Sequence, residues 1–203
     1  MEGVTDPSFR NLLLGMHSST DLGGAFTEFV RVVDGCPVSA TVVERHLGQK
    51  QFPQPVGVQL MGADPEALRE SAANVSGLGI PILDLNFGCP AKGALRGCAG
   101  SAVLDDPGRL EFLVAAAVSG AAGKLPVSVK IRAGVDDADR IEDLARAAEN
   151  GGASLLTVHC RTRAEGYGDH ADWSRIRRVV DTVGIPVCGN GGISRHEDLE
   201  RMR

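Results

Sequence analysis

The chain lacks any run of roughly 18 consecutive apolar residues, so no transmembrane helix is expected from it. Its first residues, Met1-Glu2-Gly3-Val4-Thr5-Asp6, have neither the basic nor the apolar region of a signal peptide, and a cytoplasmic location is the expectation. Positive charge is not in excess: 21 Lys and Arg face 26 Asp and Glu, for a net charge of −5. A uniformly basic surface is thereby excluded, and any nucleic-acid contact has to come from a local patch. The five cysteines, Cys36, Cys89, Cys98, Cys160 and Cys188, are odd in number and contain no CxxC pair. That fits a reducing compartment rather than a disulfide framework, and no Cys/His grouping has the spacing of a metal site. No GxGxxG fingerprint or GxxxxGK[ST] loop follows a strand, which removes the dinucleotide-fold and P-loop readings. Aromatics are scarce at 4%, and there is no repeat, low-complexity tract or linker.

Hydrophobic residues make up 43% of the 203 positions and glycine supplies 26, which suits a β/α protein with many tight loops. Candidate strands are Ala25–Phe29, Val56–Leu60, Ile82–Leu85, Val127–Ile131, Leu155–His159 and Pro186–Cys188. They read as continuous apolar runs, as strands buried on both faces do. Asp64-Pro65 and Asp106-Pro107 each offer a helix N-cap followed by proline at the first helical position. The segment Asp137–Asn150 carries Ile141, Leu144 and Ala148 at helical spacing and stops at Gly151-Gly152; a last helical segment is read at Arg195–Arg203. Alternating strands and helices imply a parallel sheet, either open or closed into a barrel. Gln59, Asn86, Lys130, His159 and Asn190 all fall at or just past strand C-termini. A barrel brings those ends to one site and an open sheet spreads them along an edge, so the expected fold is an α/β (β/α)8 TIM barrel.

Asp84-Leu-Asn-Phe-Gly-Cys-Pro-Ala-Lys92 places Cys89 in a Gly-Cys-Pro turn just beyond a strand. A free thiol carries its proton at neutral pH and is able to act as a general acid. A small buried loop residue is an equal reading from the local sequence. A redox pairing of Cys89 with Cys98, nine residues on, is a minor reading. Lys130, His159 and Gln59 each end an apolar run, and each alone reads as well as a structural polar residue. Their shared placement carries the weight. Cys188-Gly-Asn-Gly-Gly192 precedes a helical segment and is suited to a phosphate, or equally to a plain strand-to-helix turn. Arg161, Arg163, Arg175, Arg177 and Arg178 lie near Tyr167 and Trp173, either as a phosphate- and base-gripping group or as a solvated helix face.

Taken together, MEGVTD, TEFVRVVD, VGVQLMG, DLNFGCPAK, AGSAVL, VSVKIRAG, VHCRTRAEGYGDHADW and CGNGGI resemble the tRNA-dihydrouridine synthases, in family order and over nearly the whole chain. TEFVRVVD further resembles the bacterial branch acting on uridine 16 of the tRNA D-loop. The resemblance implies an FMN-binding barrel over 1–203, with NADPH as electron donor and tRNA as substrate, and a monomer is expected. By it Met1, Glu2, Gln59, Lys130, His159, Asn190, Gly191 and Gly192 bind the cofactor. Cys89 is the proton donor, and Arg31, Asn86, Arg161 and Tyr167 contact tRNA. The family's first strand, its eighth strand and its C-terminal helical domain have no counterpart in the sequence. The expectation is therefore an incomplete barrel, a fragment with weakened or no activity. The alternatives are a non-catalytic remnant and an FMN oxidoreductase acting on a small molecule.

Overall fold

A computed structural model describes residues 5–166, 168 and 170–202. In chain order it contains α1 (Pro7–Met16), β1 (Ala25–Phe26), β2 (Val30–Arg31), α2 (Ala40–Leu47), β3 (Val56–Met61), α3 (Pro65–Val75), β4 (Leu83–Phe87), α4 (Lys92–Arg96), a 3-10 segment (Gly100–Asp105), α5 (Pro107–Ala121), β5 (Val127–Arg132), α6 (Ile141–Asn150), β6 (Leu155–His159), α7 (Ser174–Val180), β7 (Val187–Asn190) and α8 (His196–Met202). The class is α/β and every strand pairing seen is parallel, as the alternation of elements predicts. The chain forms two compact units, 1–86 with 116–127, and 87–115 with 128–203.

In the first unit β3 is the centre, flanked by β4 on one side and by β1 and β2 on the other. β1 and β2 are two pieces of the single strand expected at Ala25–Phe29. Phe26 pairs with Gly57 and Val30 with Leu60, so four residues on the edge strand span three on β3. One residue is extra, and the strand bulges there. The Thr27 side chain fills the gap: its Oγ1 accepts the Gln59 backbone N–H at 3.1 Å. The bulge carries the edge on to Arg31, which is exposed.

Three helices share one start signal. Asp6 caps Phe9 N–H at 2.7 Å, Asp64 caps Glu66 and Ala67, and Asp106 caps Gly108 and Arg109, each with proline next in sequence. The latter two are the expected caps; Asp6-Pro7 is the same dipeptide. α3 buries Ala67, Leu68, Ser71, Ala72 and Val75 along one stripe. Its backbone also meets α5 closely, since a Cβ on Gly120 would lie 2.0 Å from the Arg69 carbonyl oxygen. Beneath α1 a buried ionic group forms: Arg10 donates from Nη2 to the His46 and Leu47 carbonyls, and Glu28 accepts from His46 Nδ1 at 2.5 Å. Burial pushes the Arg10 guanidinium below its ordinary pKa, offset in part by Glu28 and Asp6.

In the second unit β5, β6 and β7 run in register: Lys130 pairs with Thr157, and Arg132 with His159, which pairs in turn with Asn190. α6 begins at Ile141 rather than Asp137, because Asp137 first forms a turn in which its Oδ1 accepts from Asp139 N–H. Its buried face is Ile141, Leu144, Ala145, Ala147 and Ala148.

Gly120→Ala is expected to destabilise the chain by about 3 kcal/mol in urea unfolding, because the α3 backbone has no room to yield. Gly77→Ala, at a position with no neighbour within 4 Å, should leave the midpoint nearly unchanged.

Candidate active site

Parallel strands usually read as apolar on both faces. Here period-two alternation with the observed register separates two kinds of face. In the first unit Leu83 and Leu85 fall on one face of β4, with Val58 and Leu60 beside them; Gln59, Asp84 and Asn86 fall on the other. In the second unit Val129, Ile131, Leu156 and Val158 share the apolar face, while Lys130, Arg132, Thr157, His159 and Asn190 share the polar one. Most strands extend one or two residues beyond the sequence-predicted ends, so Gln59 and Lys130 sit within β3 and β5 rather than at their tips.

The first unit brings together Gln59 and Asn86 and adds Asp84, to which the sequence alone assigns no role. Gln59 donates from Nε2 to Asp84 Oδ2 at 2.7 Å, and Asn86 donates from Nδ2 to Gln59 Oε1 at 2.8 Å. Asp84 is 3% exposed and Asn86 9%.

The second unit brings together Lys130, His159, Asn190 and Gly191. Lys130 Nζ donates to Asn190 Oδ1 at 3.2 Å. The His159 ring lies against Gly191, where a Cβ would come within 2.9 Å of it. His159 Nδ1 accepts the Arg161 backbone N–H at 3.2 Å, which leaves the hydrogen of the neutral ring on Nε2. Burial, then the positive charges of Arg132, Lys130 and Arg161, lower the His159 pKa to about 4. The ring is therefore neutral at physiological pH.

Arg132 is the residue that sequence reasoning missed here. It is buried, donates from Nε to the Gly88 carbonyl at 2.9 Å and from Nη1 to the Thr162 carbonyl at 2.9 Å. It thus ties the turn before Cys89 to the loop after Arg161. The signal was present in Val-Ser-Val-Lys-Ile-Arg, where position 132 lies two beyond Lys130 on the same face. Cys89 is half-buried, and its carbonyl accepts from Ser101 N–H and Oγ–H, both at 3.0 Å. Gly100 has φ +59°, and a Cβ there would lie 2.6 Å from the Cys89 oxygen, so the close approach requires glycine.

Gly191 and Gly192 have φ of +106° and +79°, and a Cβ on Gly192 would lie 2.2 Å from that of Ala171. Close packing alone accounts for these glycines. The helix N-terminus expected behind them is already capped: Asp198 Oδ2 accepts from Ser194 and Arg195 N–H, both at 2.9 Å. The arginine group is likewise engaged. Arg175 donates to both Glu165 oxygens and to the Cys160 carbonyl, while Arg178 grips Glu142 and the Ala138 carbonyl. Hydrogen bonds from Arg175, and then from the Thr162 backbone, outweigh burial and hold Glu165 down at about 2. Arg161 is buried and Arg31 exposed. Met1, Glu2 and Tyr167 lie outside the described residues.

Against known proteins, the description "Dihydrouridine synthase" matches residues 1–203. The chain belongs to the dihydrouridine synthase family. It is 36% identical to a tRNA-dihydrouridine(16) synthase of Aquipseudomonas alcaligenes over 211 residues, covering 100% of this chain and 65% of that protein. It is 38% identical to the enzyme of that name in Pseudomonas putida and 39% to that in Cupriavidus necator, covering 100% of this chain and 64% of each. The chain thus spans just under two thirds of the length of these relatives. Family membership and the parallel strand–helix alternation together make the fold class an incomplete (β/α)8 barrel. Among the described residues no helix is long and apolar enough to cross a membrane.

Because folded His159 resists protonation, stability should be complete above pH 6.5 and fall as pH drops toward 4, the unfolded chain taking up its proton first. The expected loss is on the order of 2 kcal/mol in urea unfolding between pH 7 and 4. His159→Gln should remove that portion of the pH dependence.

Proposed function

We propose that the chain carries the reductive core of a tRNA-dihydrouridine synthase, saturating the C5=C6 bond of a D-loop uridine, at position 16. The observation that carries this reading is the family match over the whole chain, together with a polar strand face bearing hydrogen-bond donors in each unit. Gln59 retains a second Nε2 hydrogen, Lys130 carries three Nζ hydrogens, and neutral His159 holds its hydrogen on Nε2. Such a set fits the carbonyl and nitrogen edge of the FMN ring system. Gln59, Lys130, His159, Asn190, Gly191 and Gly192 are proposed to hold FMN, with Met1 and Glu2 beside it and NADPH as the electron source. Held there in its reduced form, FMN would supply the hydride that C6 of the uracil takes up.

The protein's own contribution is placement and a proton. Charge develops toward C5 and O4 as C6 is reduced, and the Cys89 thiol gives its proton to C5. The turn that presents Cys89 is held from both sides, by Arg132 at Gly88 and by Ser101 at its carbonyl. Arg132 and Lys130 bring positive charge to the surroundings of His159, which stays neutral and so carries no imidazolium proton to compete with Cys89. The target base has to leave the stack to be reached, and Arg31, Asn86, Arg161 and Tyr167 are the proposed tRNA contacts.

Cys89→Ala should abolish dihydrouridine formation in unmodified tRNA while FMN remains bound after desalting. Unchanged dihydrouridine yield in that variant removes Cys89 as proton donor. A wild-type chain that stays colourless after incubation with FMN counts against the cofactor site.

A further inference from the structure

We infer that Asp84 is a positioning residue that sets the hydrogen-bond polarity of Gln59 and Asn86, so that Gln59 offers a bound ring its second Nε2 hydrogen. This rests on the reading of Gln59 as a cofactor ligand. Asp84 and Gln59 are direct partners in the β3–β4 register, and Asn86 is two residues along the same face. The remainder of β4 is Leu83, Leu85 and Phe87, all almost fully buried. An apolar residue would suit position 84 for packing alone, whereas a carboxylate there is costly unless hydrogen-bonded.

What the carboxylate adds is direction. An amide side chain has a donor end and an acceptor end of nearly the same shape, so Gln59 has two orientations of similar fit. A carboxylate only accepts, and Asp84 therefore turns the Gln59 nitrogen toward itself, at 2.7 Å. Gln59 Oε1 is then forced to the Asn86 side, and Asn86 answers with Nδ2 at 2.8 Å. The polarity passes along the three residues in one sense. The Gln59 main chain is held as well, through its N–H on Thr27 Oγ1. Gln59 keeps its second Nε2 hydrogen as the donor it presents, while its Oε1 stays turned to the Asn86 side. A ring edge carrying a carbonyl oxygen or an unprotonated ring nitrogen is accepted by that hydrogen.

Three variants test this: Asp84→Asn, Gln59→Glu, and the double variant combining both. Each is followed by side-chain amide NMR without ligand, by thermal unfolding, and by FMN titration. In the wild type one Gln59 Nε2 hydrogen should resonate downfield and exchange slowly. Asp84→Asn should lose that signature and bind FMN about tenfold more weakly. Gln59→Glu places two carboxylates together and should unfold at lower temperature. In the double variant the amides at positions 84 and 86 both donate to the carboxylate at position 59, so thermal stability should recover. FMN binding should not recover, because position 59 then presents an acceptor. Recovery of both in the double variant overturns the inference and leaves Asp84 a purely structural residue. So does an Asp84→Asn chain with unchanged amide spectra and FMN affinity. If the wild type binds no FMN, the proposed function fails; the amide spectra of wild type and Asp84→Asn still decide whether Asp84 sets the polarity.

Discussion

Everything at the candidate site depends on one constraint: a parallel sheet with a polar face must satisfy each polar group on it from its own neighbours. Where such a face is buried, an unpaired donor or acceptor costs free energy comparable to a lost hydrogen bond. Strand register is what meets the constraint. With Gln59 opposite Asp84 and Asn86 one step along, three polar side chains close on each other in the first unit. In the second unit Arg132 lies opposite His159 and His159 opposite Asn190, and the register serves other partners: Arg132 donates to the Gly88 and Thr162 carbonyls, His159 accepts the Arg161 N–H, and Lys130 donates to the Asn190 amide oxygen. A slip of one residue would send these groups into the apolar side.

The two units solve the problem with different chemistry. The first uses a carboxylate and two amides, whose net effect is directional and leaves little charge to manage beyond Asp84. The second buries a guanidinium, Arg132, and gives both of its bonds to backbone carbonyls on different loops. The positive charge that results is one reason His159 stays neutral, after burial itself. One residue therefore ties down the Cys89 turn and also sets the protonation state of a neighbouring ring.

The elements are largely legible in the sequence because their signals are local. Asp-Pro dipeptides announce helix starts at Asp64 and Asp106, and the apolar run Leu155–His159 has the bounds of the observed strand. Lys130, His159 and Asn190 are also legible, since polar residues closing apolar runs stand out. What escapes is tertiary. The bulge at Thr27 depends on counting residues against a partner strand. Asp84 and Arg132 escape for another reason: each is one more member of an alternation, and only its partner's position gives it a task. Asp6-Pro7 is the opposite case, a local signal that was present and unread.

The arginines around Trp173 show how far composition leads an argument and where it stops. Their number and the nearby aromatics suggest a polyanion grip, yet Arg175, Arg177 and Arg178 each meet a carboxylate, Glu165, Asp181 and Glu142. Exposed pairs of this kind contribute little, as with Arg177, but the half-buried Arg175 group braces the loop carrying Cys160 and Thr162. Trp173 is engaged too, donating from Nε1 to the Gly191 carbonyl at 2.9 Å. The segment's first task is therefore to hold the loops that frame His159 and Gly191. Charge spent in that way is unavailable to phosphates, which is consistent with an acidic chain of net charge −5.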